Sequence, residues 1–235
     1  RSLGMIDRFC YLIVDYSPRR FQNPIVEKIY VLLDKFIAYK ADAVWTMSQA
    51  MLEGRERDGK LQMSRIKWQV SPFGNNSHIL TAEDLAGYVK NDLVYVGNPD
   101  AQNVKADLLI ETAAVLKKRG HKFRLFFVGP GSAEKLRFLA KKLDLEDEVQ
   151  FKGIITEALD LDRFLAKCGI GLAPYDPHLR DNFSRFADPA KIKTYLGAGL
   201  PVITTTVPPN ANDVVRAGAG VIVEPFTAAA HADSI

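Results

Sequence analysis

Cysteine is scarce: Cys10 and Cys168 are the only two in 235 residues. They stand far apart, with no CxxC or Cys/His spacing around either. That argues against a zinc site and a disulfide framework, and points to a reducing compartment. Histidine is scarce too. His78, His121 and His231 have no partner cluster in the sequence and read as structural or solvent-exposed residues. No run of about 18 apolar residues exists, so no helical membrane span is expected. Neither sign of charge is in excess: 31 Lys+Arg against 28 Asp+Glu leave a net +3. That is too weak to make nucleic acid the main partner. The signatures GxSxG, GxxxxGK[ST] and HExxH are missing, and GxGxxG is incomplete, which weakens serine hydrolase, P-loop, zincin and dinucleotide readings.

What is there is a globular composition, 47% apolar and 25% charged. Such a chain buries a core without staples, and its length falls between one and two domains. It begins Arg-Ser-Leu-Gly without an initiator Met or a signal-peptide pattern, and ends without a closing element. The expectation is a fragment of a longer protein.

Short β-branched runs alternate with longer helical stretches. FCYLIVD at 9–15 reads as a strand buried on both faces. Helix is expected over 24–40, with Pro24 in its first turn and Ile25, Ile29, Leu32, Leu33 and Phe36 at helical spacing. A strand at 43–47 is followed by Ser48 as cap of a helix over 49–57. After a strand at 66–71 the character changes, with Gly74-Asn75-Asn76-Ser77 a turn cluster and Thr81 the start of a short helix. A domain boundary belongs here. From 93 onward the alternation is cleaner, with strands at 93–97, 122–129, 149–151, 169–173, 201–205 and 220–223. Helices fall at 107–119, 132–143, 157–167, 189–197 and 210–217. Strands alternating with helices of about ten residues imply right-handed crossovers and a parallel sheet, whose ligands bind at the strands' carboxyl ends.

Three places there could hold an anion. Gly97-Asn98 follows a strand, and Lys105 stands at the mouth of the next helix; glycine lets backbone approach a phosphate while the helix terminus and lysine supply positive charge. The plainer reading is an ordinary βα turn. Gly129-Pro130-Gly131-Ser132 is either a ligand turn or a tight turn with Ser132 as N-cap. In DPAKIKTYLGAGLPVI, Asp188 caps a helix on which Lys191 and Thr194 share a face, suited to a diphosphate and a sugar hydroxyl, or merely to solvent. The loop over 174–186, with His178, Arg180, Asp181 and Arg185, is long enough to suggest a function. Arg8, Arg19, Arg20, Lys28, Lys35 and Lys40 make the first segment basic. Glu27, Asp34 and Asp42 interleave with them, so a solvated face competes with an anionic membrane surface as the reading.

Taken together these residues resemble the retaining glycosyltransferases of the GT-B fold, the group 1 family, in a family-4-like form. LVYVG with Lys105 is similar to that family's first C-terminal strand and diphosphate site. RLFFVGPGSAEKLRFLAKKLDLEDEVQFKG resembles its strand, Gly-rich turn, helix and following strand. LAKCGIGLAPY, DPAKIKTYLGAGLPVITT and AGAGVIVEP resemble the three segments after that. ADAVWTMSQAM and VSPFGNN resemble the end of the N-terminal domain and its linker.

The resemblance implies an α/β fold of GT-B architecture, two Rossmann-like parallel-sheet domains with the first incomplete. Residues 1–74 would close the acceptor-side domain, 75–92 link, and 93–235 form the nucleotide-sugar-binding domain. It implies transfer of a sugar, of hexosyltransferase type, from a nucleotide-diphosphate sugar to a glycan, lipid or other acceptor with retention, no activity being expected of the fragment alone. Gly97, Asn98, Lys105 and Lys191 would face the donor diphosphate. Gly129, Gly153 and Ile154 would line the nucleoside pocket, Thr194 would meet the ribose, and Tyr175 and Asp188 would flank the sugar. No catalytic nucleophile is identified, and neither metal nor cofactor is expected besides the donor. Cytoplasmic placement, with peripheral contact at the inner membrane face through the first domain, completes the expectation. Thr194 replaces the family's Glu, Asn98 stands where many members have Arg, and Phe186 falls where the first acidic residue of the motif would be. A degenerate non-catalytic nucleotide-sugar-binding module and a nucleotide-sugar 2-epimerase on a similar fold are the alternatives.

Overall fold

The computed structural model of the chain describes residues 7–75, 78–179 and 182–235. Two compact units emerge, one formed by Arg1–Gly74 and Leu179–Asp188, the other by Asn75–His178 and Pro189–Ile235. Residues 75–92, expected as a linker, are grouped with the second unit. Residues 179–188, expected in the second domain, are grouped with the first.

The first unit contains β1 (Cys10–Ile13), α1 (Pro24–Lys40), β2 (Ala43–Thr46), α2 (Gln49–Arg57) and β3 (Trp68–Val70). Its strands form a parallel sheet in the order β1-β2-β3. Local chemistry explains the helix starts. The Asn23 side chain accepts the Ile25 and Val26 amides while Pro24 needs no donor partner, and Ser48 accepts the Met51 amide. The core gathers Ile13, Tyr16, Val44, Met47, Met51, Leu52 and Leu61 with Phe186 from the distant segment. Phe186 meets Tyr16 edge-on at 5.0 Å. Its backbone carbonyl accepts the Ser48 hydroxyl. Gly54 makes room: a Cβ there would lie 2.6 Å from the Phe186 ring. Deeper in, the Arg55 guanidinium pairs with Asp34, both almost fully buried, and the Tyr11 hydroxyl donates to the same carboxylate at 2.7 Å.

Two expectations for this unit are corrected. β1 is not buried on both faces, since Leu12 and the following Val14 are 47% and 50% exposed. The apolar stripe of α1 does not face the core. Ile25, Ile29, Leu32, Leu33 and Phe36 are exposed, while Asp34 and Ala38 face inward.

The second unit holds β4 (Asp92–Val96), α3 (Ala106–Lys118), β5 (Arg124–Val128), α4 (Glu134–Lys142), β6 (Val149–Gly153) and α5 (Ala158–Leu165). β7 (Ile170–Ala173), α6 (Ala190–Gly197), β8 (Val202–Thr204), α7 (Ala211–Arg216), β9 (Gly220–Ile222) and α8 (Ala228–Asp233) complete it. The six strands are parallel in the order β6-β5-β4-β7-β8-β9. The order reverses between β4 and β7, so right-handed crossovers run outward in both directions and put α3 and α4 on one face, α5 to α7 on the other. Packing agrees, with α3 against α4 and α8, and α5 against α6. Covered on both faces, β4 is buried from Asp92 to Tyr95, and Phe126 and Phe127 of β5 pack on Phe164 and Phe151.

Several boundaries differ from expectation for local reasons. Thr81 does not open a helix; it closes a turn in which the Thr81 amide donates to Asp84 and the Asp84 amide to the Thr81 hydroxyl. Ser132 does not cap α4, which is preceded by Ala133 in the left-handed region. Pro189, not Asp188, is the N-cap residue of α6. The loop over 174–186 contains a short 3-10 turn, Phe183–Arg185, capped by Asn182; Arg180 and Asp181 lie outside the described residues. His78 does have a partner, Asp162, at 2.8 Å from its Nδ1. α8 was not expected. Among the described residues no helix is long and apolar enough to cross a membrane.

Candidate functional site

β4 and β7 pair only through Leu93 with Ile170 and Val94 with Gly171. Each strand keeps its ladder on the other side, so beyond Val94 a crevice opens where the strand order reverses. This is the position at which parallel sheets of this kind bind ligands.

Three of the expected glycines line up on one side of it. The Gly97 amide donates to the Val128 carbonyl and the Gly129 amide to the Gly153 carbonyl, both at 2.8 Å. Their φ angles are 135° at Gly97, 145° at Gly129 and 71° at Gly153, a region that disfavours any Cβ. At Gly129 a Cβ would also come within 2.3 Å of the Gly97 oxygen. The strand ends therefore present bare backbone, as close approach by a phosphate requires.

Lys191, in the first turn of α6, points back over this edge. Its Nζ sits 4.1 Å from the Tyr95 ring centroid and 5.2 Å from that of Tyr175. A Cβ on Gly97 would lie 3.4 Å from the same nitrogen. Two ring faces partly compensate an ammonium that has lost part of its water. Burial still lowers its pKa to about 7. Tyr175, itself buried, has its carbonyl held by the Thr205 hydroxyl at 2.8 Å, and burial pushes its phenol pKa up.

The remaining expected residues take varied places. Lys105 is an exposed residue at the N-cap of α3, and its amide donates to Pro174 at the end of β7 at 2.9 Å. Asn98 is exposed; its side chain accepts the Asp100 amide at 2.8 Å, which closes the turn. The Thr194 hydroxyl donates to the Ala190 carbonyl one turn back at 3.1 Å and keeps its lone pairs for another donor. Ile154 is exposed beside Gly153. Asp188 lies in the first unit, where its carboxylate accepts the Phe73 amide at 2.8 Å. Sequence reasoning placed it at the sugar. The sequence carries no local signal that this segment is grouped with the first unit.

The spacing also left out Tyr95, Tyr195, Arg137 and Phe151. A tyrosine inside the otherwise aliphatic LVYVG, and a second one four residues after Lys191, were the available signals. Arg137 lies over the Phe151 ring at 4.3 Å. With Phe127, Gly129 and Gly153 they line a cavity of ≈ 30 Å³, room for one water molecule. A larger cavity of ≈ 650 Å³ runs along α4, lined by Asp107, Glu134 and Phe138 among others; of the candidate turn 129–132 only Ser132 reaches it. Among the described residues no group of three or more His, Cys, Asp or Glu is placed to hold a metal ion.

Comparison with known proteins adds to this geometry. Residues 90–235 match the family described as glycosyl transferases group 1. Among curated proteins none matches. Among solved structures the chain is similar to WaaG, described as a glycosyltransferase involved in lipopolysaccharide biosynthesis. The TM-score is 0.69 at 18% identity, over 99% of this chain and 69% of that one. It is similar to HepE from Anabaena, crystallised with UDP and glucose (TM-score 0.67, 18% identity, 95% of this chain and 60% of that one). It is also similar to the pneumococcal O-GlcNAc transferase GtfA, crystallised with UDP and GlcNAc (TM-score 0.60, 16% identity, 85% and 37%). The chain thus spans from 37% to 69% of the length of these structures. At such identities the likeness speaks for the fold, an α/β architecture of parallel sheets as in GT-B glycosyltransferases. The matched residues include the whole crevice between β4 and β7, and the chain belongs to the group 1 glycosyltransferase family.

Proposed function

We propose that the second unit binds the diphosphate of a nucleotide-sugar donor in the crevice between β4 and β7, and that the protein transfers the sugar with retention to a glycan, lipid or other acceptor. The observation that carries this reading is the poorly solvated Lys191 ammonium set over the bare backbone of Gly97. Among the described residues no carboxylate pairs with this amine, which suits it to an anion that arrives from outside. UDP in the crystals of HepE and GtfA makes uridine the first nucleoside to try.

In this reading the diphosphate lies across Gly97, with Lys191 on one side and Lys105 at the start of α3 on the other. As the bond from the sugar to the diphosphate breaks, negative charge grows on the leaving oxygen. The two ammonium groups and the amides at the helix start stabilise that charge where it develops. Charge neutralisation falls to these groups, with no metal or further cofactor assigned. The nucleoside belongs beside Gly129 and Gly153; the side chain of Arg137 must then leave the Phe151 ring, because ≈ 30 Å³ does not admit a base. Thr194 offers the ribose an uncharged acceptor where a carboxylate would bind more strongly.

Titration calorimetry of the full chain with UDP, GDP and ADP tests the reading. At least one should bind, and Lys191→Met should weaken that binding by about tenfold or more, the scale of one charge-assisted contact. Failure of all three to bind would overturn the proposal. Incubation with the matching nucleotide sugars then separates transfer or donor hydrolysis from mere binding.

A further inference from the structure

We infer that Tyr195 is the positioning residue of this site: its hydroxyl bridges the two strands that part at the crevice, and thereby fixes α6 so that Lys191 stands over Gly97. The inference rests on the donor reading above for its functional meaning, while the geometry stands without it.

At the last paired position, Val94 faces Gly171. Past it the two strands have parted. The Val96 amide of β4 instead donates to the Tyr195 hydroxyl at 2.7 Å, and that hydroxyl donates to the Leu172 carbonyl of β7 at 3.0 Å. One phenol oxygen thus accepts from one strand and donates to the other, and satisfies two backbone groups that the divergence would leave unmade. Gly171 is the reason the ring fits. A Cβ there would come within 2.4 Å of the Tyr195 ring. Tyr195 is fully buried, and burial pushes its pKa upward, so the hydroxyl keeps its proton to donate.

Four residues earlier on the same helix stands Lys191, one turn away on the same face. α6 has no side-chain hydrogen bond at its N-cap. The bridge is therefore a fixed point, close to Lys191, that ties the helix to the sheet. Among the described residues the Lys191 amine lies against the rings of Tyr95 from β4 and Tyr175 from the segment after β7, and Tyr195 stands one turn away on α6 itself. All three are held in the neutral form by burial. Among the described residues no carboxylate contributes to the setting of the amine, whose pKa is lowered by burial. Its state therefore depends on where α6 places it.

The experiment is a double-mutant cycle on the full chain with UDP as the probe, followed by calorimetry below pH 7. Tyr195→Phe keeps the ring and removes both bonds. It should lower UDP affinity about tenfold, on the scale of two neutral hydrogen bonds. In a Lys191→Met background the same change should have no further effect, because Tyr195 acts through Lys191. Wild-type affinity in Tyr195→Phe, or two losses that simply add, would overturn the inference. Two readouts stand apart from the variant's binding. The pH midpoint for acylation of the Lys191 amine should move up toward the ordinary lysine range in Tyr195→Phe; an unmoved midpoint overturns the inference even if no nucleotide binds. In the unaltered chain, UDP should slow hydrogen exchange at the Val96 amide, and exchange that ignores bound UDP counts against it. Absence of binding by the wild type overturns the donor reading instead, so the two failures are distinguishable.

Discussion

The two units solve the same packing problem unequally. The second surrounds six parallel strands with helices on both faces and draws its core almost wholly from residues beginning at Leu93. The first has three strands, leaves the stripe of α1 turned outward, and completes its core with Phe186 from far along the chain. A sheet covered on both faces can hold a poorly solvated amine, Lys191, at the strand ends where function needs it. A small sheet has no such surplus, and its stability hangs on a few long-range contacts. The difference can be broken or sharpened experimentally.

The largest effect belongs to Phe186. It is 7% exposed and packs on Tyr16 and over Gly54. Phe186→Ala should cost the first unit about 3–5 kcal/mol, the usual range for deleting a buried phenyl ring. Urea unfolding followed by hydrogen exchange should show amides of β2 and α2 losing protection while those of β4 and β5 keep theirs. Equal loss in both units would mean that they do not unfold separately, and the comparison would fall.

A smaller effect, with a sign that depends on pH, sits in the second unit. Lys191 has its pKa lowered from 10.5 to about 7 in the folded protein. Between these values the unfolded chain holds a proton that the folded one lacks, so stability rises with pH across that window. Below pH 7 both states are protonated and the full penalty of burying the cation is felt. An anion reverses the preference, since it favours the ammonium. UDP should therefore bind best below pH 7 and more weakly as pH rises toward 9. Lys191→Met should flatten both curves, and its thermal midpoint should exceed the wild type's most at low pH. A wild-type affinity that is level from pH 6 to 9 would show that the amine is already charged when empty.

How much of this was legible in the sequence follows the same division. In the second unit period and punctuation agree, and every strand from β4 to β9 falls within two residues of its expected place. The glycines at 97, 129 and 153 were readable because each ends a strand. Tyr195 was not, because its role depends on where β4 and β7 part, and register between distant strands has no local signal. In the first unit α1 was placed from Pro24 to Lys40. Its orientation was unreadable, since an apolar stripe says only that something covers it. On the inward side stand Asp34, in a buried ion pair with Arg55, and Ala38.

That inversion leads to the smallest expected effect on stability and a separate one on binding. The acids interleaved with the basic residues of the first segment are all engaged within the unit. Glu27 accepts the Arg20 and Phe21 amides and the Lys60 ammonium, Asp34 holds Arg55, and Asp42 accepts the Phe9 amide. Outward, α1 shows Ile25, Ile29, Leu32, Leu33 and Phe36 beside Lys28 and Lys40, the composition of a helix that lies in a membrane interface. We propose that this face makes peripheral contact with an anionic bilayer. Leu32→Asp with Phe36→Asp should change unfolding free energy by less than about 0.5 kcal/mol, as exposed positions do. The same pair should abolish flotation with vesicles containing phosphatidylglycerol, and raising the salt should weaken flotation of the wild type. If the pair instead destabilises the first unit by several kcal/mol, the stripe is part of a core after all, and the contrast between the two units is smaller than it looks.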